Sequence, residues 1–370
     1  MVTIKPRRVE NREKGKKFKY SEGAVPSTSK LSGVKKTLLV GVLPFTQENY
    51  SNVKLMLDLM KLGDLKPTYS ADIKMDLYLI GRDHGACRHN CIFGDGCTPW
   101  TQKPCNLITV GDAKMWHEKF MKAGGEGTGI NFQNMVHEIL LQYPDDTFLI
   151  DIVNFPELHV MLGITTRLVD YIKLFSSTEW VEAILDELNI TQTFHRGKKG
   201  LNGNSCKKLL GHASIFTIKS QSLPEKARIN AAAQTMTLFN AVVDSSFGNF
   251  VMEGWEDAIV KFCASYRALP NITFPPKYHM VEAHLKEFLE RRWAQNAAYE
   301  GYGAGYWSEQ QFEAVHNCFN NSWDCSKVWQ GPRGLRQEAP HLRQELRCQE
   351  DLDQEERILP FSEYLCKFID

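Results

Sequence analysis

The sequence predicts an α/β fold, with strands in roughly the first 160 residues and helices threaded between and after them. Two observations carry this. Short apolar runs rich in β-branched residues, bounded by Gly, Pro and Ser, come early in the chain. From about 160 to 325, apolar residues instead recur at spacings of three and four, the helical period. Strands and helices mixed in this way fit an α/β unit interrupted by helices better than an all-helical bundle.

The elements follow in order. The stretch "FKYSEGAVPSTS" reads as a short strand entering a Gly/Pro/Ser loop. The run "VKKTLLVGVLPF" is a stronger strand, ended by Pro44. In "TQENYSNVKLMLDLMKLG", Val53, Leu55, Met56, Leu59 and Met60 repeat at helical spacing and Gly63 is a stop. "LKPTYSADIKMDLYLIG" reads as a strand to Ala71, then a helix from Asp72 with Met75, Leu77, Leu79 and Ile80. "GINFQNMVHEILLQ" predicts a helix, and "YPDDTFLIDIVNFPELHVMLGITTRLVDYIKLF" a strand, a turn and a helix beginning near Pro156. Four further helical runs follow, "STEWVEAILDELNI", "EKARINAAAQTMTLFNAVVDSSFG", "WEDAIVKFCASYRAL" and "KYHMVEAHLKEFLERRWAQ". "HRGKKGLNGNSCKKLLGH" reads as the most basic of the loops between them. Residues 330–358 are polar and charge-mixed with little apolar periodicity.

Bulk properties narrow the function classes. The 370 residues are 43% hydrophobic and 24% charged with a formal net charge of zero, an ordinary globular composition. The whole-molecule field therefore predicts no polyanionic partner, although residues 5–19 form a local basic arm containing Lys5, Arg7, Arg8, Arg12, Lys14, Lys16, Lys17 and Lys19. No apolar run reaches the roughly 18 residues of a membrane span, so no membrane partner is expected. The first residues have no apolar core, and secretion is not expected. Ten cysteines, too few for a dense disulfide framework, predict free thiols in the nucleus or cytoplasm.

Several constellations can carry chemistry. Asp72, at the predicted end of a strand and start of a helix, is either a helix cap or a carboxylate at the rim of an α/β sheet, where ligands collect. His84, Cys87, His89, Cys91, Cys97 and Cys105 form the densest group of soft donors. Cys87-x-x-x-Cys91 is an acceptable zinc pair; Cys97 and Cys105 are more loosely spaced. In "SEQQFEAVH", Glu309 and Glu313 are one turn apart and His316 follows at i+3, a polar face for water or for metal. His279 and His284, in "PKYHMVEAHLKEFL", nearly match the HxxEH zinc pattern with one residue too many. Their five-residue spacing does not stack them on an α-helical face, so they are expected on the exposed side. "KAGGEGTGINF" is not a phosphate loop, because it lacks GxxxxGK[ST] and follows a helix.

Four segments in order resemble the transposon-derived proteins repeated in some invertebrate genomes, which are similar to ribonuclease-H-fold Asp-Asp-Glu transposases. They are "VLPFTQENYSNVKLMLDLM" with "YSADIKMDLYLIG"; "CRHNCIFGDGC"; "IDIVNFPELHVMLGITTRLVDYI" with "LNGNSCKKLL"; and "PPKYHMVEAHLKEFL" with "GAGYWSEQQFEAVHNCF". The resemblance implies a ribonuclease-H-like mixed sheet interrupted by a large helical insertion. The implied layout is a basic arm (1–16), an α/β core with the Cys/His-rich loop (17–160), the helical insertion (161–300), a late core helix (301–326) and a charged tail (327–370). It further implies three carboxylates holding Mg²⁺ or Mn²⁺ for DNA strand cleavage and transfer. Asp72 falls at the second acid, and Glu309 or Glu313 at the third, with Glu313 favoured by His316. Glu22-Gly23 stands where the first acid, an Asp-Gly, is expected. The second metal expectation is a structural Zn²⁺ on Cys87, Cys91, Cys97 and His89. DNA and a second copy of the chain are the expected partners. The competing classes are a non-enzymatic nucleic-acid or protein-interaction module and a zinc-binding structural protein.

Overall fold

Helix dominates the described part of the chain. The computed structural model describes residues 2–4, 38–41, 49–60, 69, 73–83, 91–95, 106–195 and 198–307. The chain divides into two compact units, Met1–Pro67 with Gln310–Asp370, and Thr68–Glu309. In the first unit β1 (Val2–Ile4) pairs antiparallel with β2 (Leu38–Gly41), and α1 spans Tyr50–Met60 with Val53, Met56 and Leu57 buried.

The second unit opens with α2 (Ile73–Leu79), then β3 (Gly94–Asp95) and β4 (Asn106–Leu107), which form a short antiparallel pair. α3 (Val110–Lys122) starts at a reciprocal cap. The Thr109 side chain accepts from the Asp112 amide, and Asp112 accepts from the Thr109 amide, satisfying two donors that the helix start leaves open. α4 (Glu157–Lys173) follows Pro156, which cannot donate a backbone hydrogen bond and so suits a helix start. α5 (Thr178–Glu187) is capped by Ser177. A hairpin of β5 (Gln192–His195) and β6 (Lys198–Leu201) leads to α6 (Gly203–Gly211), capped by Asn202. Next come α7 (Ser214–Lys219), α8 (Lys226–Ser246) and α9 (Trp255–Arg267). The last long helix is compound: α10 (Pro276–His279), a π-turn (Met280–His284) and α11 (Leu285–Gln295).

The core of this unit lies among α4, α8, α9 and α11. On α8, Ile229, Ala232, Ala233, Met236, Phe239, Val242 and Val243 recur at three and four and are buried. Phe239 meets Phe262 of α9 with ring centroids 4.8 Å apart, and Phe155 touches both Phe247 and Phe288 at 5.9 Å. The strand-poor segment "GYGAGYW" closes against the end of α8: Gly303 and Gly305 donate to the carbonyls of Asn249 and Gly248 at 3.1 Å. A Cβ on Gly305 would collide with the Phe247 carbonyl, so only glycine permits this backbone-on-backbone approach.

The predicted ribonuclease-H-like mixed sheet is corrected. Among the described residues, strands form three separate two-stranded antiparallel pairs, with isolated bridges between other segments. The apolar run 148–155 is buried as a 3₁₀ turn (Leu149–Asp151) and a single parallel bridge from Val153 to Tyr69. A short, mostly apolar run of this length has no decisive period, so it signals burial without fixing a strand. The helix expected over 129–142 is also corrected. A 3₁₀ turn covers Ile130–Phe132, and Gln133 and Asn134 both take φ +55°, left-handed backbone that stops a helix. The basic "loop" from His195 to His212 is the β5–β6 hairpin and α6. No helix among the described residues is long and apolar enough to cross a membrane.

Candidate metal centre

The π-turn determines which side chains meet. In an α-helix, residues five apart point about 140° away from each other. A π-turn closes i→i+5 hydrogen bonds, one residue wider than the α-turn, and brings i and i+5 towards the same side. His279 closes α10 and His284 closes the π-turn. Their imidazole rings lie edge to face, 5.1 Å between centroids. Both are buried, at 7% and 1% exposure, which corrects the expectation of an exposed polar face.

The third member arrives from the other end of the unit. Cys91, 2% exposed, sits just before β3. Its carbonyl accepts from the buried Arg82 guanidinium. Its Sγ accepts from the Phe93 amide at 3.4 Å, and Phe93 in turn presents its ring to His284 at 5.7 Å. The Phe93 carbonyl accepts from Ile108, whose own carbonyl accepts from Leu149, so the Cys91 segment is tied through Ile108 to the buried 148–155 run.

Cys91, His279 and His284 each offer one donor atom, and all three atoms lie within 4.8 Å of one another. This is a group that can hold a metal ion. In a tetrahedral site with bonds of 2.0–2.3 Å, donor atoms stand about 3.5 Å apart, so closure requires side-chain movements of about 1 Å. Two further features fit such an ion. Among the described residues, His279 Nε2 and both ring nitrogens of His284 are buried without a hydrogen bond of ordinary length, and what faces them is the Cys91 sulfur and, for His284, the Glu287 carboxylate. The Glu287 carboxylate lies 3.9 Å from His284 Nδ1, on the side where an outer carboxylate commonly orients a ligating histidine.

Electrostatics favour the ligating form of the cysteine. Burial works to raise the Cys91 thiol pKa, but His284 and His279 beside it prevail and hold it well below the ordinary thiol range. Burial works to lower His284, and the Cys91 sulfur and Glu287 together raise it to about 9. Thiolate is the form that binds metal. The two remaining described cysteines, Cys206 and Cys263, have burial-raised pKa values of about 12 and stay inert thiols.

Of the residues singled out in the sequence, Cys91 is in this cluster. Cys87, Cys97 and His89, with His84 and Cys105, lie outside the described residues. So do Asp72, Glu22, Glu309, Glu313 and His316, on which the Mg²⁺ or Mn²⁺ expectation rests. Sequence reasoning missed His279 and His284 as candidate ligands. The signal was present: the one residue too many in the near-HxxEH string is the residue that the π-turn absorbs. No protein-family model and no curated protein matches this chain.

Proposed function

We propose that the second unit is a zinc-stapled helical scaffold, with Cys91, His279 and His284 as ligands of a structural zinc ion. One observation carries the reading: a thiol and two imidazoles, all buried, converge with unsatisfied ring nitrogens. Soft sulfur and imidazole donors suit zinc over the oxygen-seeking Mg²⁺ and Mn²⁺. Deep burial favours a structural ion over a catalytic one, which keeps a position open to substrate. The ion would tie residue 91 to a helix almost 190 positions later in the chain, closing a long loop. Sequence spacing nominates Cys87 as the fourth donor, because Cys-x₃-Cys and His-x₄-His both fall within the ranges of structural zinc sites.

The test is elemental analysis of the full-length protein purified without added chelator. One zinc per chain is expected, falling to near zero in Cys91→Ser and in His284→Ala. Wild-type protein without bound metal, or variants retaining full zinc, would overturn the proposal.

A further inference from the structure

We infer that Arg267 and Glu282 form a positioning clasp for the metal centre, an inference that rests on the zinc reading. Glu282 is in the middle of the π-turn, between the two histidines. Its carboxylate accepts two hydrogen bonds from Arg267 at the end of α9, from Nε to Oε1 and from Nη2 to Oε2, both 2.5 Å. This two-pronged geometry fixes direction as well as distance. The Tyr278 hydroxyl lies 3.0 Å from Glu282 Oε1 and 3.2 Å from the Cys263 carbonyl, linking the same carboxylate back to α9. Arg267 is held in turn between Phe274 and Tyr278, its guanidinium 5.1 and 5.8 Å from their ring centroids. Both partners are about a quarter exposed, so water does not fully screen the pair.

The physical role follows from the backbone. A π-turn is an uncommon, single-turn departure from α-helix, and such turns recur at functional sites. Something must hold it against relaxing. Here the residue inside the turn is anchored to a neighbouring helix by the strongest side-chain contact available to it. Relaxation to α-helix would turn His284 away from His279 and Cys91. Arg267 touches none of the donor atoms; it acts by fixing the turn that aims them. Outer residues of this kind commonly alter metal affinity by 10–100-fold.

The experiment titrates Co²⁺ into metal-free full-length protein and follows its visible absorption, which reports thiolate ligation and tetrahedral geometry. Wild type, Arg267→Met, Arg267→Lys, Glu282→Gln and Arg291→Gln are compared. Arg291→Gln is the control, since it removes a similar two-pronged pair with Asp151 on α11, beyond the π-turn. We expect Co²⁺ to bind Arg267→Met and Glu282→Gln 10–100-fold more weakly with an altered spectrum, Arg267→Lys to recover part of the loss, and Arg291→Gln to match wild type. If Arg267→Met and Glu282→Gln bind like wild type, the clasp falls and the zinc reading stands. An equal loss in Arg291→Gln would also overturn it, by showing general destabilisation. A wild type without a thiolate–Co²⁺ spectrum removes both.

Discussion

The helix from Pro276 to Gln295 is attached to earlier parts of its unit in two places, and the two attachments differ in kind. At its far end, Arg291 makes a two-pronged pair with Asp151 at 2.9 and 2.6 Å. Arg292, 1% exposed, donates to the carbonyls of Asp151 and Val153 and to Asn154 Oδ1. These contacts are made by protein alone. At its near end, His279 and His284 face Cys91, and His279 Nε2 and both His284 ring nitrogens make no hydrogen bond of ordinary length among the described residues. Buried polar groups are satisfied in native proteins almost without exception. The contrast therefore separates a joint built of direct hydrogen bonds from one that the proposed ion would complete.

The largest test of this contrast is to remove the proposed ion. An ion present at about 1,000 times its dissociation constant stabilises by about 4 kcal/mol. Chelation should lower the melting temperature by about 8–16 °C, measured by calorimetry, and Cys91→Ser should be insensitive to chelator. An unchanged melting temperature would make the two joints alike.

Breaking the other joint comes next. Arg292→Met should cost about 3 kcal/mol in denaturant unfolding, since it leaves buried carbonyls and the Asn154 amide oxygen without their donor. Zinc content should not change. Loss of zinc in this variant would mean that the joints are not independent.

A smaller effect concerns protons. With His284 raised to about 9, the imidazole is protonated at pH 7 and must release its proton to bind metal, whereas Cys91 is held in its thiolate form. Affinity should therefore rise by about tenfold per pH unit from 7 to 9, or about 1.4 kcal/mol per unit, and level off above. Calorimetric titration in buffers of different ionisation enthalpy should count about one proton released at pH 7. Zero would remove His284 from the ligand set. The smallest effect belongs to Arg291→Gln, expected to cost about 1 kcal/mol because the pair with Asp151 is partly exposed. A larger cost would shift the weight of the far joint from Arg292 to Arg291.

What the sequence disclosed depended on periodicity. α1, α4, α5, α8 and α9 were legible because their apolar residues repeat at three and four over about three to six turns. Pro156 marked the start of α4 correctly. Among the described residues there is no mixed sheet to read. "VKKTLLVGVLPF" contains β2, but β2 pairs with Val2–Ile4 and not with the apolar run before α4. Gln133 and Asn134 hid the break in the helix predicted from 129, because both residues are ordinary in helices as well as in left-handed turns. The soft-donor loop contained Cys91, which lies in the group that could hold a metal. Its partners were almost 190 residues away and disguised by a spacing that only a π-turn makes useful.

The π-turn has a consequence for the whole helix. One extra residue per turn shifts the phase of everything beyond it, so α10 and α11 are drawn on two different helical wheels. The first wheel carries Tyr278 and His279 inward, and the second carries Leu285, Phe288, Leu289 and Arg292. A single helix thereby addresses two surfaces that an unbroken α-helix of the same sequence could not face together. Relaxing the turn to α-helix without losing a residue would restore one wheel and rotate all of α11 by about 100° relative to α10. The Cys91 joint and the Asp151 joint would then be lost in one step. The helix works as a gear with one offset tooth, and the offset is a single residue.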